Sequence, residues 1–214
     1  MKNLLHVGLS GLDYFPEKKV HHHPIIQLID VGLSSEILEE LPFFDNIVIT
    51  SKSTVEFFLK KYKKFIDPSV KIFSIGPQTS SSIEKEGFRV YKQAERFTQE
   101  GLIEVFRHLN LSSDRILFPR SDLARNTIDS YFKKLDLNYL SCICYQTIPN
   151  SNFPALKLEN YDEIFFTSPS TVKYFFDKYP QIPCGLNIIV IGEITYDYLI
   201  NYRVVLNNIE IIKT

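Results

Sequence analysis

Two clusters of small hydroxyl residues stand directly after apolar runs of the sequence. Residues 47–49 (Ile-Val-Ile) lead into residues 50–54 (Thr-Ser-Lys-Ser-Thr), and residues 164–166 (Ile-Phe-Phe) lead into residues 167–171 (Thr-Ser-Pro-Ser-Thr). A segment with the apolar period of a helix follows each cluster. Such residues can cap the first turn of a helix, and the free backbone N–H groups of that turn can also bind an anion.

Capping and anion binding are both compatible with these clusters. Ser51 and Ser168 stand where an N-cap side chain accepts a backbone N–H, and Pro169 suits a first turn that needs no N–H. Gly76-Pro77 follows another apolar run in the same way. Because small residues also let a ligand approach the backbone, we predict that these helix starts bind a polyanion. The predicted binding residues are Ser51, Lys52, Ser53, Thr54, Gly76, Pro77, Gln78, Thr79, Ser168, Pro169 and Ser170.

Arg120 and Lys52 are candidate cationic partners for a carboxylate. Arg120 ends a predicted strand, and its guanidinium could clamp a carboxylate through two hydrogen bonds. A surface ion pair with Asp122 explains the same arginine equally well. Lys52 leaves a similar choice between a ligand contact and a solvated lysine.

The clusters belong to an internal repeat. The motifs at residues 47–55 and 72–79 recur, in the same order and at nearly the same offset, at residues 165–172 and 189–195. Two motifs that recur in one order at one offset indicate two copies of one fold.

Each copy has the pattern strand, helix, strand, helix. The strands are short continuous apolar runs, as expected for a parallel sheet with helices on both faces. We therefore predict an α/β protein with two similar, doubly wound, flavodoxin-like domains. The apolar stripes of the helices are assigned to the core rather than to a cofactor site; they are Val55, Phe58, Leu59 and Tyr62 in one copy and Val172, Phe175, Phe176 and Tyr179 in the other.

Two extended runs divide the chain. Residues 24–30 and 141–149 are predicted to be bridging strands that form a two-stranded β hinge. Domain one is then discontinuous, combining residues 1–23 with residues 150–214, and domain two is residues 31–140.

The overall composition narrows the class of partner and the compartment. The 214 residues include 24 basic and 25 acidic side chains, which argues against nucleic acid or an anionic membrane as the main partner. The three cysteines are too few and too unevenly spaced for a disulfide framework, so we expect a cytoplasmic protein. No apolar run reaches membrane-spanning length, and residues 1–13 are predicted to hold a first strand rather than a signal peptide.

Cysteine and histidine spacing does not predict a metal site. Cys142 and Cys144 share one face of a predicted strand and are expected to pack, which places Tyr145 on the opposite face. The three successive histidines at residues 21–23 alternate faces if they lie on a strand, so they cannot converge on one ion.

The order and spacing of several short segments resemble the uroporphyrinogen-III synthase family. The matching segments are Thr50-Ser51, residues 74–77 (Ser-Ile-Gly-Pro), residues 97–102 (Phe-Thr-Gln-Glu-Gly-Leu), residues 117–125 (Leu-Phe-Pro-Arg-Ser-Asp-Leu-Ala-Arg), residues 145–147 (Tyr-Gln-Thr) and residues 166–170 (Phe-Thr-Ser-Pro-Ser). The resemblance implies two α/β domains joined by a two-stranded ladder.

The resemblance also implies a reaction and a substrate. The substrate would be hydroxymethylbilane, a linear tetrapyrrole with eight carboxylates, which loses water and closes through a spiro intermediate with inversion of the last ring. Neither a metal nor an organic cofactor would be needed. We expect a monomer, which could receive its substrate from the preceding enzyme of the pathway.

The family's motifs imply particular residue roles in this sequence. The important tyrosine of the family corresponds to Tyr145, which would be the general acid. The family's serine corresponds to Ser168 or Ser170, and its Gly-Pro-Thr-Thr motif corresponds to residues 192–195, which makes Thr195 a further substrate-binding residue.

Departures from the family pattern leave an alternative open. Residues 10–20 are too short for the arginine and full helix that usually follow the first strand, and residues 204–214 are expected to lack a final strand–helix unit. Glu193 replaces a proline at a turn that would face anions. The alternative function is therefore a non-catalytic two-domain homologue that binds a tetrapyrrole or another small polyanion.

Overall fold

The computed structural model describes residues 1–11, 15–201 and 209–212, and the chain divides into two compact units. Unit 1 combines Met1–Leu28 with Thr147–Thr214, and unit 2 is Ile29–Gln146. The chain passes from one unit to the other twice, within the ranges 24–30 and 141–149 that the sequence marked as bridging.

The elements are numbered in chain order. Within the described residues the strands are β1 (Asn3–His6), β2 (Lys19–His22), β3 (Ile26–Asp30), β4 (Asn46–Ile49), β5 (Lys71–Ser74), β6 (Val90–Gln93), β7 (Ile116–Ser121), β8 (Tyr139–Pro149), β9 (Glu163–Phe166), β10 (Asn187–Ile191) and β11 (Ile209–Ile212). The α-helices are α1 (Ser35–Glu40), α2 (Lys52–Thr54), α3 (Lys60–Tyr62), α4 (Pro77–Lys85), α5 (Gln99–Arg107), α6 (Thr127–Lys134), α7 (Pro169–Lys178) and α8 (Gly192–Ile200). A π-helical turn, Val55–Leu59, joins α2 to α3, and short 3₁₀ turns lie at Leu41–Phe43, Lys63–Phe65 and Leu158–Asn160.

Unit 1 is built on a five-stranded sheet with the order β11-β10-β9-β1-β2, in which neighbouring strands are parallel. Counted along the chain from β1, this order is 2-1-3-4-5, as in flavodoxin-like folds. Every residue of β9 is buried, which explains why its sequence is continuously apolar after Glu163. Phe166, Val172 and Phe175 lie in the core of this unit.

Unit 2 contains most of a six-stranded sheet with the order β3-β8-β7-β4-β5-β6. The pairs from β4 to β8 are parallel. Strands β4 and β7 are buried at every position. The core includes Phe73, Phe106, Phe118 and Phe132, whose rings lie between strands and helices.

The two sheets have the same spatial arrangement with different starting strands. Strands β6-β5-β4-β7-β8 of unit 2 correspond in position to β11-β10-β9-β1-β2 of unit 1. In unit 1 the strands β1 and β2 come first along the chain, before β9, β10 and β11. In unit 2 the equivalent strands β7 and β8 come last, after β4, β5 and β6. The internal repeat predicted from the sequence is thus confirmed, with a circular shift between the copies.

The apolar stripes assigned to the core are confirmed. Val55, Phe58, Leu59 and Tyr62 are all buried, as are Val172, Phe175 and Phe176, while Tyr179 packs against the same core half-buried. Of the final strand–helix unit that was expected to be missing, the strand is present, because β11 pairs with β10 as the fifth strand of unit 1. The short segment predicted at residues 10–20 lies partly outside the described residues.

The first strand predicted near the N-terminus is β1. Cys142 and Cys144 are buried in β8, where burial raises the pKa of each thiol to about 12. In the part of the chain that the structure describes, no helix is long and apolar enough to cross a membrane.

Candidate active site

The starts of two helices meet at one edge of the unit 2 sheet. Strands β4 and β5 are parallel neighbours in which Ile49 pairs with Ser74, so the segments that follow them leave from the same carboxyl edge. Ser51 is the N-cap of α2, and its Oγ accepts the backbone N–H of Thr54 at 3.0 Å. Gly76 precedes α4, which begins at Pro77. The predicted cap at Ser51 and the predicted place of Pro77 in the first turn of a helix are therefore confirmed.

Exposure differs among the predicted binding residues of this edge. Lys52, Pro77 and Gln78 are exposed, Ser51 and Ser53 are half-buried, and Thr54, Gly76 and Thr79 are buried. The side chains of Thr54 and Thr79 thus belong to the packed side of their helices, so neither position offers a ligand an exposed hydroxyl, and the backbone N–H of Thr54 is already donated to Ser51.

Tyr145 is held against this edge from within unit 2. Its hydroxyl lies 3.1 Å from the Oγ of Ser51, and its ring stacks on Phe57 with the centroids 5.2 Å apart. Only 6% of the tyrosine is exposed. Burial raises the pKa of the phenol, and hydrogen bonds with Ser51 and Thr54 offset part of that rise. Tyr145 therefore remains a neutral phenol with its oxygen fixed in position.

A bulge in β8 changes the faces that the sequence predicted. Arg120 of β7 pairs with Ile143, but the next residue, Ser121, pairs with Tyr145, so one residue of β8 is extra at Cys144. Cys144 and Tyr145 are consequently both buried. The prediction of strict alternation, which put Tyr145 on the face opposite both cysteines, is wrong at this point.

Arg120 is buried and bound to its own loop. Its guanidinium contacts the carboxylate of Asp129 and donates to the carbonyl oxygen of Ala124 at 2.6 Å and to Oδ1 of Asn126 at 2.9 Å. The sequence alternative that paired Arg120 with Asp122 is wrong, since the carboxylate partner is Asp129. These contacts favour a role in holding the β7–α6 loop, and the clamp on a substrate carboxylate stays a prediction.

The segment at residues 97–102 also supports the same loop. Thr98 caps α5 by accepting the N–H of Gly101 at 3.1 Å. Oε1 of Gln99 accepts the backbone N–H of Ile128 at 3.3 Å. Glu100 forms two hydrogen bonds with Arg125, at 2.6 and 3.0 Å. The motif therefore joins α5 to the loop that precedes α6.

Unit 1 repeats the helix start in a different form. Ser168 is the N-cap of α7 in a capping box with Thr171, which confirms the predicted cap, and Pro169 is the first helical residue. The Oγ atoms of Ser168 and Ser170 lie 2.9 Å apart. Both serines and Pro169 are half-buried, so this edge keeps polar atoms within reach of solvent.

The second helix of this edge, α8, carries the segment that departs from the family pattern. Gly192 has φ +72°, a left-handed conformation that favours glycine. Glu193 is exposed in the first turn, whereas Thr195 is buried. The side chain of Thr195 is thus buried in the first turns of α8, and its role as a substrate-binding residue stays a prediction.

A histidine pair in unit 1 was not assigned a role from the sequence. His6 is only 1% exposed, and its ring centroid is 4.7 Å from that of His22. Among the described residues its Nε2 has no hydrogen-bond partner. A side chain at Gly8 would overlap both His6 and Thr167. The glycine two residues after His6 is therefore the one feature of the sequence that indicates close packing around this histidine.

The histidines and cysteines do not form a metal centre in the described residues. His22 turns toward His6, whereas the ring of His21 contacts Tyr161, as the alternation of a strand predicts. Nowhere in residues 1–11, 15–201 and 209–212 do three or more His, Cys, Asp or Glu side chains stand where they could hold one ion.

The fold and these edges define a class of protein: two repeated parallel α/β units whose sheets end in capped helix starts. A family model described as "Uroporphyrinogen-III synthase HemD" matches residues 18–207. The chain belongs to the uroporphyrinogen-III synthase family.

Named relatives found by sequence agree with this assignment. A Chlorobaculum parvum uroporphyrinogen-III synthase is 24% identical over 170 residues, which cover 73% of this chain and 69% of the relative. A Methanothermobacter thermautotrophicus protein is 26% identical over 165 residues, 72% of this chain. The chain spans only about two thirds of these curated relatives, 65% of the length of the archaeal protein.

Solved structures of the family share the fold. Uroporphyrinogen-III synthetase from Helicobacter pylori superimposes with a TM-score of 0.68 at 17% identity, covering 98% of this chain and 92% of that one. A mutant enzyme from Thermus thermophilus gives a TM-score of 0.66 at 13% identity, with the same coverage. At these identities the likeness establishes the fold.

Proposed function

We propose that this chain is a uroporphyrinogen-III synthase, a cyclising lyase that converts hydroxymethylbilane into uroporphyrinogen III and water. The observation that carries the proposal is the buried, neutral phenol of Tyr145, hydrogen-bonded at a helix start that can bind carboxylates. Family membership supplies the substrate class. The Chlorobaculum parvum relative carries the name of this activity.

Substrate carboxylates would bind to the backbone N–H groups at the helix starts. Ser51–Thr54 and Gly76–Thr79 in unit 2 and Ser168–Thr171 in unit 1 have small residues at these positions, which let a carboxylate oxygen approach. The exposed Lys52 adds a positive charge at one of them. Backbone donors suit a substrate with many carboxylates, because they bind anions without a concentration of buried arginines.

Tyr145 would protonate the leaving hydroxyl. The C–O bond of the hydroxymethyl group breaks, its electron pair remains on oxygen, and the phenol proton completes the water that leaves. The electron-rich pyrrole stabilises the resulting cation. Loss of hydroxide from neutral substrate would be much slower, and a positioned acid contributes about 10²–10⁴-fold in rate.

Ring closure then requires only the substrate's own electrons. The cation is attacked by the substituted carbon of the last ring to give the spiro intermediate, which opens and recloses with that ring inverted. The final ring loses a proton, and the phenolate of Tyr145 regains one. The net change is loss of water, so the reaction needs neither an oxidant nor a reductant.

The test is the isomer formed from fresh hydroxymethylbilane. The linear substrate closes spontaneously to the type I isomer, so catalysis is detected as type III after oxidation to uroporphyrins and chromatographic separation. We expect type III with the native protein and type I with heat-denatured protein. A native protein that binds the substrate yet yields only type I would instead be the non-catalytic polyanion-binding homologue, and the proposal would fail.

A further inference from the structure

Ser51 occupies the centre of a small network of hydroxyl groups in unit 2. Its Oγ lies 3.1 Å from the Tyr145 hydroxyl and 2.9 Å from Oγ1 of Thr54, and it accepts the backbone N–H of Thr54 at 3.0 Å. Thr54 is 1% exposed and Tyr145 is 6% exposed. The oxygens of Thr54 and Tyr145 are therefore largely removed from water, whereas Ser51, which connects them, is half-buried and lies within reach of a ligand.

The proton count leaves two arrangements. A serine hydroxyl has one proton and two lone pairs, and one lone pair of Ser51 already accepts the N–H of Thr54. Ser51 can then accept from the Tyr145 phenol and donate to Thr54, or accept from the Thr54 hydroxyl and donate to Tyr145. In the first arrangement the phenol proton is used in the hydrogen bond to Ser51. In the second arrangement Ser51 does not use the phenol proton, which can then point toward a ligand.

The ring of Tyr145 is fixed independently of its hydroxyl. Phe57 belongs to the π-helical turn Val55–Leu59, and its ring stacks on Tyr145 with an interplanar angle of 26°. Single π-helical turns are frequently found at functional sites. Because the ring plane is held by Phe57, the direction of the phenol proton depends on Ser51 rather than on rotation of the whole side chain.

We propose that Ser51 is a positioning residue that directs the proton of Tyr145 toward the substrate and then donates a hydrogen bond to the phenolate. This inference rests on the proposed function, in which Tyr145 is the general acid. When the phenol gives its proton to the leaving hydroxyl, the negative charge on its oxygen is met by the Ser51 O–H. Ser51 is in turn supported by the hydroxyl of Thr54. No other group gains or loses a proton in this step.

The kinetic test is a double-mutant cycle between Ser51 and Tyr145. We expect Ser51→Ala to lower kcat for type III formation about tenfold with little change in KM, since its backbone donors remain. Ser51→Thr keeps the hydroxyl and should recover most of the rate. In a Tyr145→Phe background, Ser51→Ala should have almost no further effect. An equal effect of Ser51→Ala in both backgrounds would overturn the inference.

A second measurement does not depend on activity. Denaturant unfolding is measured for the wild type, Ser51→Ala, Tyr145→Phe and the double variant. We expect Tyr145→Phe to lower the free energy of unfolding by less when Ser51 is already alanine. Ser34→Ala is the matched control, because Ser34 caps α1 through the N–H of Ile37 at 3.4 Å without a tyrosine partner. It should lower stability without altering the kinetics. Strict additivity of Ser51→Ala and Tyr145→Phe in unfolding would also contradict the proposal.

The two measurements separate this inference from the proposed function. A wild-type protein that forms no type III isomer but shows coupling in unfolding refutes the enzyme assignment and with it the role of Ser51 in positioning the proton of Tyr145. An active protein without kinetic coupling refutes only the role of Ser51.

Discussion

Arg125 donates to both carboxylate oxygens of Glu100, at 2.6 and 3.0 Å, and so connects the first turn of α5 to the loop before α6. Both residues lie in segments by which the sequence resembled its family. Because Arg125 and Glu100 bind each other, their role is structural. The resemblance to the family alone could not distinguish such a role from contacts with the substrate.

This ion pair predicts a small loss of stability in acid. The hydrogen bonds from Arg125 lower the pKa of Glu100 from 4.5 to about 2. Because the folded pKa lies below the unfolded one, the stabilisation is present above about pH 4.5 and is lost as the pH falls toward 2. Both side chains are more than 40% exposed, so we expect Glu100→Gln to cost at most about 1 kcal/mol at pH 7.

Unfolding in urea at pH 7 and pH 3 measures this contribution, with Glu56→Gln as a control for an exposed pair. Glu56 pairs with Lys60 four residues further along the same continuous helical segment, so this pair does not connect distant parts of the fold. A Glu100→Gln variant that loses the same stability at both pH values would contradict the assigned pKa.

Gly101 should not tolerate a side chain. A Cβ atom there would overlap the backbone carbonyl oxygen of Arg96, which cannot swing aside as a long side chain would. We expect Gly101→Ala to destabilise unit 2 by about 1–3 kcal/mol. Gly185→Ala is the control, because its Cβ would have no atom within 4 Å. Equal thermal unfolding of the two variants would show that the packing at Gly101 is looser than described.

Arg120 should matter more for stability than an exposed arginine. Removing the charge of Asp129 leaves a buried guanidinium without its counter-ion, so we expect Asp129→Asn to cost about 3 kcal/mol. Glu40→Gln, which removes the partner of the more exposed Arg115, should cost much less. Denaturant unfolding of both variants measures the difference, and similar small losses would favour an Arg120 that is free to bind substrate.

His6 predicts a larger acid-dependent effect. Burial, with a smaller contribution from nearby His22, lowers the pKa of His6 from 6.5 to about 4. The folded pKa lies below the unfolded one, so stability is complete above pH 6.5 and declines as the pH falls toward 4. The difference corresponds to about 3 kcal/mol.

The test for His6 is the slope of unfolding free energy between pH 7 and pH 4. We expect His6→Phe, which removes the titrating group but keeps a ring, to flatten that slope. His108→Gln is the control, since His108 is exposed on the surface of unit 2. If His6→Phe leaves the slope of unfolding free energy against pH unchanged, the loss of stability in acid is caused by other groups.

Patterns with a local physical cause could be predicted from the sequence. The caps at Ser51, Thr98 and Ser168 follow from short-range hydrogen bonds, and the buried strands β4 and β9 follow from their continuous apolar runs. The repeat predicted two similar sheets. The circular shift between the copies became visible only from the order of the strands in the two sheets.

Features that depend on distant pairing could not be predicted. The bulge at Cys144 is a property of the register between β7 and β8, so the alternation of β8 alone gave the wrong face for Tyr145. The partner of Arg120 is nine residues away on α6, whereas Asp122 was the nearer carboxylate in sequence. The π-helical turn that holds Phe57 has no simple sequence signal.

The most direct test of the central claim is the fraction of type III isomer formed from fresh hydroxymethylbilane as the concentration of wild-type protein is raised. We expect type III to rise from the spontaneous background to nearly all of the product, and Tyr145→Phe to need a much higher concentration to reach the same fraction. If wild-type protein that is folded and binds the substrate yields type I at every concentration, the chain does not invert the last ring and the central claim is wrong.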